Sequence, residues 1–242
     1  MGLGTNRLTD TPQNVALIKA AVAAGIGMID TAHLYTGGRS EQTIGEALSP
    51  RPTGCVVATK GGFGERGRGK PEVLRSEIEE SFRRLRCDTI DLYYLHRVDP
   101  ETPIEESIGA IKEYLDAGRI RSIGISQVEV EHIERARRVA PIAAVQNHYN
   151  LAERRHDAVV DYCDREAIPF VPFFPLRAEP SAALRQIAQR RGATPAQIAL
   201  AWLLRRSPTM LPIPGTLSLE HVKENLGALE IELTDAEFQA LL

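Results

Sequence analysis

The stretch Thr89-Ile90-Asp91-Leu92-Tyr93-Tyr94-Leu95-His96 is a short apolar run that ends on a histidine. Its length and its β-branched and aromatic residues favour a buried β-strand. The periodic segment 71–85 precedes it, and segment 102–117, which Gly118 terminates, follows it; both predict amphipathic helices. The chain around this run therefore has the order helix, strand, helix.

The same order repeats along most of the chain. Repeated β-then-α order implies parallel strands joined by crossover helices. With the residues around Leu3 as a shortened or incomplete first strand, eight such units give an α/β fold, the (β/α)8 TIM barrel. The 242 residues fit one barrel, so we predict a single domain over residues 1–242 without an amino-terminal hairpin. The further strands are predicted at 26–30, 54–60, 120–125, 142–146, 169–173 and 210–213.

An open, doubly wound parallel sheet is the structural alternative. It is less favoured because no Gly-x-Gly-x-x-Gly turn follows an early strand, and 61–64 has the wrong spacing. The amino end is the uncertain part of the barrel, because only about four residues precede Thr5. We therefore expect imperfect closure there, or a chain that is a shortened form of a longer protein.

The composition excludes several classes of protein. A formal net charge of −3 does not favour a nucleic-acid or anionic-membrane partner. The three cysteines are far apart and form no zinc-site spacing, which predicts reduced thiols, no metal and a cytoplasmic location. We see no signal peptide and no membrane span. The oligomeric state cannot be predicted from the sequence.

Four polar residues stand where predicted strands end. Asp30, Lys60 and His96 each close an apolar run, and Tyr35 lies in the turn after Asp30. Each of them alone is at least as often structural as functional. Together they fall on successive βα units, so all four are expected at the carboxyl-end rim of the barrel, where such folds keep their chemistry.

This group of side chains can deliver a proton to a carbonyl oxygen. An isolated phenol has a pKa near 10, which is too high for easy proton donation at neutral pH. A nearby ammonium such as Lys60 favours the phenolate, and Asp30 can hold Lys60 in place and keep it charged. His96 can donate an N–H to the same oxygen. We predict Tyr35 as the general acid at an oxygen that gains negative charge as hydride reaches carbon.

The segment Gly27-Met28-Ile29-Asp30-Thr31-Ala32-His33-Leu34-Tyr35 resembles the aldo-keto reductase signature, an Asp-Thr-Ala followed by the catalytic tyrosine. The likeness covers nearly the whole chain in the right order. The other matching segments are Ser40-Glu41 with Ile44-Gly45, Ala58-Thr59-Lys60, 91–96, 118–126, 145–150, and Ile213-Pro214-Gly215 through Glu224-Asn225.

The resemblance implies an NAD(P)H-dependent carbonyl reductase in which Tyr35 is the acid, Lys60 and Asp30 tune it, and His96 orients the substrate. Ser126 and Gln146 would bind the nicotinamide carboxamide, and Phe173 would stack on its ring. The last βα turn would hold the adenosine phosphate and adenine, where a helix start suits an anion. The full set of cofactor-binding residues predicted is Thr5, Ser126, Gln146, Phe173, Leu176, Gly215, Thr216, Ser218, His221, Glu224 and Asn225.

The chain departs from the family pattern at several cofactor positions. Gln127 stands where the family usually has Asn, and Phe174 replaces a small hydroxyl residue. Gly215 and His221 stand where many members carry Lys and Arg, which usually face the phosphate that distinguishes NADP from NAD. The resemblance to the family still favours NADP(H) as the cofactor, and NAD(H) is the alternative.

Two other functions stay open at this point. One is a nicotinamide-nucleotide-binding redox-sensing or regulatory protein with little turnover, since related barrels of that kind keep the four polar residues. The other is a barrel isomerase or lyase without nicotinamide. If the chain is a reductase, its small aldehyde or ketone substrate is not named by the sequence. Candidate residues on the substrate side are Asn6, His33, Phe63, Arg97 and His148.

Overall fold

The protein is described by a computed structural model that covers residues 1–64, 66–177 and 181–242. Within these residues six strands form one parallel sheet in chain order, β1 to β6. Each strand pairs with the next, and the register places Gly4 beside Asp30 and Ser126 beside Gln146. The strands are β1 (Gly2–Gly4), β2 (Met28–Asp30), β3 (Val56–Gly61), β4 (Leu92–Leu95), β5 (Ile123–Ser126) and β6 (Ile142–Gln146).

The barrel is completed by two extended segments, 169–173 and 209–215, which pair through isolated parallel bridges. Backbone bonds connect the first to β6, as in Val171 N to Val145 O at 2.8 Å, and the second to the first. We predicted regular strands here, and that expectation was wrong. Prolines occupy positions 169, 172, 212 and 214 of these segments, and each lacks the backbone N–H that a ladder bond needs.

The short first strand closes the barrel. Gly2 N donates to Pro212 O at 3.0 Å and Gly4 N donates to Pro214 O at 3.3 Å, while the other edge of β1 pairs with β2. The shortened strand is therefore confirmed, but the expected imperfect closure is wrong. The approach is tight, since a Cβ added to Gly4 would lie 2.9 Å from Ile213 O. The three residues of β1 suffice to close the barrel because the backbone of 212–215 packs directly against them.

Helices surround the sheet and cover its outer face with the main apolar core. A smaller cluster fills the barrel interior around Tyr94. Gly124 makes room for this ring, because a Cβ there would lie 2.4 Å from Tyr94 Cδ1. The helices are α1 (Pro12–Ala23), α2 (Arg39–Leu48), α3 (Pro71–Leu85), α4 (Ile104–Asp116), α5 (Val130–Arg137), α6 (Asp157–Arg165), α7 (Ala182–Arg191), α8 (Pro195–Arg206), α9 (Leu219–Gly227) and α10 (Asp235–Ala240).

Candidate active site

An ion pair between Asp30 and Lys60 forms the buried base of the site. The two side chains come from the ends of β2 and β3, and Lys60 Nζ lies 2.5 Å from Asp30 Oδ1. Nζ also donates to Thr31 O at 2.7 Å. Gln146, at the end of β6, donates from Nε2 to Asp30 Oδ2 at 2.8 Å. Both carboxylate oxygens are therefore bonded, as a charged group out of water requires.

Tyr35 stands above this pair. It lies in the predicted turn after β2 and opens a 3-10 helix there, Tyr35–Gly38, that leads into α2. Lys60 Nζ lies 5.1 Å from the centroid of the Tyr35 ring. The ring meets the imidazole of His96 edge-on, with centroids 5.9 Å apart and planes at 79°. The structure thus brings together the four residues that the sequence placed on three successive βα units.

His96 is held as a neutral imidazole. Its side chain is almost fully buried at the end of β4, and its backbone N donates to Gly61 O at 2.7 Å. Burial first, and then the charges of Lys60 and Arg97, hold the pKa of His96 well below its usual value of 6.5. A neutral imidazole still carries one N–H, so His96 can donate a hydrogen bond while an imidazolium is disfavoured.

A cavity of about 590 Å³ opens beside these residues. This volume lies in the usual range for small-molecule sites. Three of the four predicted catalytic residues line the cavity: Asp30, Tyr35 and His96. The fourth, Lys60, lies buried beneath them. Three of the predicted substrate-side residues line the cavity: Asn6, Phe63 and Arg97. Six of the predicted cofactor-binding residues also line it: Thr5, Ser126, Gln146, Phe173, Leu176 and Gly215.

The other predicted cofactor residues lie outside the cavity lining, on the turn after Gly215 and on α9. Ser218 caps α9 by accepting from His221 N, and its hydroxyl donates to Glu220 Oε2 at 2.6 Å. Thr216 Oγ1 lies 3.3 Å from His221 Nδ1. Glu224 accepts from Thr194 Oγ1 at 2.6 Å, and Asn225 is buried. This turn continues directly from the cavity wall, with the amino end of a nine-residue helix beside it.

Two of the substrate-side candidates are not brought to the cavity. His33 Nε2 lies 2.6 Å from Glu80 Oε2, behind the 3-10 turn. His148 stacks on Phe173 with planes at 13° and supports that ring from behind. Both histidines therefore contact other side chains of the protein and do not line the cavity.

Two arginines that were not predicted as site residues also line the cavity. Arg7 and Arg177 are exposed neighbours of predicted site residues, and that adjacency was the only signal. Among the described lining residues Asp30 is the one carboxylate, and it is already paired with Lys60. The mouth of the cavity is therefore positively charged, which suits anionic ligands.

Neither a metal-binding cluster nor a membrane-spanning helix is found in the described part of the chain. No group of three or more His, Cys, Asp or Glu side chains could hold a metal ion there. Across 1–64, 66–177 and 181–242, none of the helices has both the length and the apolar character needed to cross a bilayer.

A parallel barrel thus brings an acid, a phenol, an ammonium and an imidazole together at one end of the strands. The profile described as the Aldo/keto reductase family matches residues 1–241. The chain belongs to the aldo/keto reductase family of oxidoreductases.

Relatives and solved structures agree with this assignment. The chain is 38% identical to an uncharacterized oxidoreductase of Schizosaccharomyces pombe, over all of the chain and 85% of the relative. It is 35% identical to pyridoxine 4-dehydrogenase of Escherichia coli, over 94% of the chain and 85% of the relative.

Among solved structures it is similar to the thermostable aldo-keto reductase Tm1743 in complex with epalrestat, with a TM-score of 0.91, 33% identity and coverage of 99% and 93% of the two chains. It is also similar to an aldo/keto reductase of Klebsiella pneumoniae in complex with NADP and acetate, with a TM-score of 0.89, 30% identity and coverage of 99% and 89%. These likenesses confirm the barrel fold.

Proposed function

We propose that this chain is an NADP(H)-dependent carbonyl reductase, with residues 1–242 as one barrel domain and Tyr35 as the general acid. The observation that carries the proposal is the placement of the Tyr35 ring above the buried Lys60–Asp30 pair, with His96 at its edge. A phenol and a neutral imidazole face one cavity there, and the ammonium lies buried beneath them. This arrangement supports delivery of a proton to a carbonyl oxygen of a small aldehyde or ketone.

The side chains have separate roles in this mechanism. The substrate oxygen accepts hydrogen bonds from the Tyr35 hydroxyl and the N–H of His96. As hydride reaches the carbonyl carbon, negative charge develops on the oxygen and the Tyr35 proton moves to it. The Lys60 ammonium stabilises the resulting phenolate, and Asp30 fixes the ammonium. His96 stays neutral because its pKa is low, so it orients the carbonyl without competing as the acid.

The residues around the cavity fit a nicotinamide cofactor, which would supply the hydride. Ser126 and Gln146 stand side by side at the ends of β5 and β6, as two groups that bind one carboxamide should. Phe173 offers an aromatic face on the same wall. The turn after Gly215 and the amino end of α9 suit the phosphate end. Two solved structures similar to this chain contain NADP or NADPH, which favours NADP(H) over NAD(H).

The test uses purified protein, NADPH and 4-nitrobenzaldehyde. We expect loss of nicotinamide absorbance with the wild type. Tyr35→Phe should lower kcat by roughly 10²- to 10⁴-fold, the usual contribution of a general acid, with the NADPH dissociation constant changed less than about threefold. Tyr114→Phe, on α4 outside the cavity, is the matched control and should behave as the wild type.

The same experiment separates the alternatives. Tight NADPH binding with equal inactivity of wild type and Tyr35→Phe would favour the redox-sensing or regulatory protein. Absence of any nicotinamide fluorescence change on titration would favour a barrel isomerase or lyase. Either result would overturn the reductase proposal.

A further inference from the structure

Arg97 holds a guanidinium beside the catalytic group. It follows His96 directly in the chain and is partly buried. Its Nη1 donates to His96 O at 2.7 Å and to Ser126 Oγ at 3.2 Å. The guanidinium carbon lies 5.1 Å from the ring centroid of Phe63 and 5.7 Å from that of Phe173. Backbone, hydroxyl and aromatic contacts thus fix the cation inside the cavity.

This cation has no carboxylate partner among the described residues. Many arginines on the outer helices do, as in the pairs of Arg75 with Glu113 and Arg135 with Glu105. Burial lowers the pKa of Arg97 from its usual value, which shows that the site disfavours the isolated charge. A partly desolvated cation without a counter-charge costs stability. The arrangement is therefore one that an anionic ligand would stabilise.

The hydrogen-bonding groups of Arg97 suit a planar anion. A guanidinium has five N–H donors, and the two hydrogen bonds that Arg97 makes to described residues both come from Nη1. In the described part of the chain no hydrogen bond is made by Nε or Nη2, the edge that binds carboxylates through two parallel bonds. The nearest cavity carboxylate, Asp30, has both oxygens engaged by Lys60 and Gln146. Within residues 1–64, 66–177 and 181–242, no carboxylate therefore supplies the counter-charge of Arg97, and an anionic ligand would supply it.

The position of Arg97 indicates a substrate group and not a cofactor phosphate. It contacts His96 and Ser126, at the end of the cavity where the carbonyl and the carboxamide would lie. The phosphates would lie toward Leu176 and Gly215, for which no contact with Arg97 is found among the described residues. Ser126 Oγ can accept from Arg97 and still donate its own proton, so Arg97 leaves the carboxamide contact available.

We propose that Arg97 binds a carboxylate on the substrate, so that the enzyme prefers aldehydes and ketones that carry a carboxylate near the carbonyl. This inference rests on the proposed reductase function. It assigns Arg97 as the residue that determines specificity, with Phe63 and Phe173 flanking the carbon skeleton between carboxylate and carbonyl.

The test compares 4-carboxybenzaldehyde with the neutral isostere 4-nitrobenzaldehyde and with methyl 4-formylbenzoate. The readout is the ratio of kcat/KM for the acid over that for each neutral aldehyde, which cancels effects on cofactor binding. Arg97→Met should lower this ratio by roughly 10- to 100-fold, the usual effect of a charge-assisted hydrogen bond, mostly through KM. Arg97→Lys should retain part of the preference. Arg190→Met, which removes an exposed arginine of α7 outside the cavity, is the control and should leave the ratio unchanged.

A binding measurement gives the second readout. The alcohol product 4-(hydroxymethyl)benzoate is titrated into the NADPH-loaded protein and followed by nicotinamide fluorescence. Arg97→Met should weaken its binding at least about tenfold relative to 4-nitrobenzyl alcohol. An unchanged ratio in kinetics and in binding, with wild-type turnover intact, would overturn the role of Arg97. Wild type that turns over no aldehyde would overturn the reductase proposal, while the binding arm would still decide the anion site.

Discussion

The carboxylate of Asp30 and the ammonium of Lys60 lie 2.5 Å apart with both side chains almost fully buried. A buried ion pair gains little net stability, because desolvation of the two charges offsets their attraction. Here Thr31 O and Gln146 Nε2 satisfy further bonding positions. Removal of one partner alone leaves an uncompensated buried charge, whereas removal of both leaves none. A single substitution should therefore destabilise the protein more than a substitution of both residues.

Asp30→Asn should destabilise the protein by about 3–5 kcal/mol, because it leaves the Lys60 ammonium buried without a counter-charge. The measurement is urea unfolding at neutral pH. The double variant Asp30→Asn/Lys60→Met should recover most of the stability, since no isolated charge remains and the oxygen of the introduced amide can still accept from Gln146. On the proposed mechanism the double variant stays inactive. A double variant as unstable as the single one would show that the pairing argument is wrong.

Stability should fall as the pH drops below about 6.5. Burial first, and then Lys60 and Arg97, hold the pKa of His96 well below 6.5 in the folded state. As the pH falls, His96 therefore takes up its proton in the unfolded chain before it does so in the folded protein. The stability that neutral His96 contributes is complete above its pKa in the unfolded chain. It is lost as the pH falls toward the pKa of His96 in the folded protein. Unfolding midpoints between pH 7 and pH 5 measure this slope.

His96→Asn should reduce that slope without removing it. The pKa values of His148 and His156 are also lowered, chiefly by burial, so they contribute to the same window. Identical slopes in the variant and the wild type would argue against a depressed pKa at His96.

Gly124→Ala should cost at least about 2 kcal/mol, because the added Cβ overpacks the barrel interior against the Tyr94 ring. Gly109 in α4 is the matched control, since a Cβ there meets nothing within 4 Å. Gly109→Ala should raise the free energy of unfolding by about 0.5–1 kcal/mol through the lower entropy of the unfolded chain. Thermal melts of the two variants should therefore shift in opposite directions, and shifts of the same sign would contradict the packing argument.

Glu220→Gln should strengthen NADPH binding by roughly two- to fivefold and leave NADH binding unchanged. The carboxylate of Glu220 accepts from Ser218, beside the turn proposed to hold the cofactor phosphate, and its negative charge would repel a phosphate bound there. Fluorescence titration with both nucleotides measures the two constants. Glu232→Gln, exposed and remote from that turn, is the control and should change neither. Equal changes for NADPH and NADH would place the phosphate elsewhere.

The spacing of apolar residues predicted helices and strands well wherever one face of the helix or strand is apolar. The bounds of α3, 71–85, and of β6, 142–146, agree with the structure at both ends. The segment 152–166 reads as one helix by its sequence pattern, but α6 begins only at Asp157, because Asn150 Oδ1 accepts from the backbone of Ala152 and Glu153 and holds a turn there. The last helix, α10, was not predicted: it is six residues long and none of its side chains is fully buried.

The sequence by itself determined the order of βα units and placed Asp30, Lys60 and His96 at strand ends, because the apolar period and the chain position of a polar residue are local properties. Only the tertiary structure decided that Gln146 bonds an acid 116 residues away and that β1 closes the barrel with three residues. It also decided that the Arg97 guanidinium turns inward beside Ser126. Such contacts depend on how the strands curve around the common axis, and no short segment of the chain encodes that curvature.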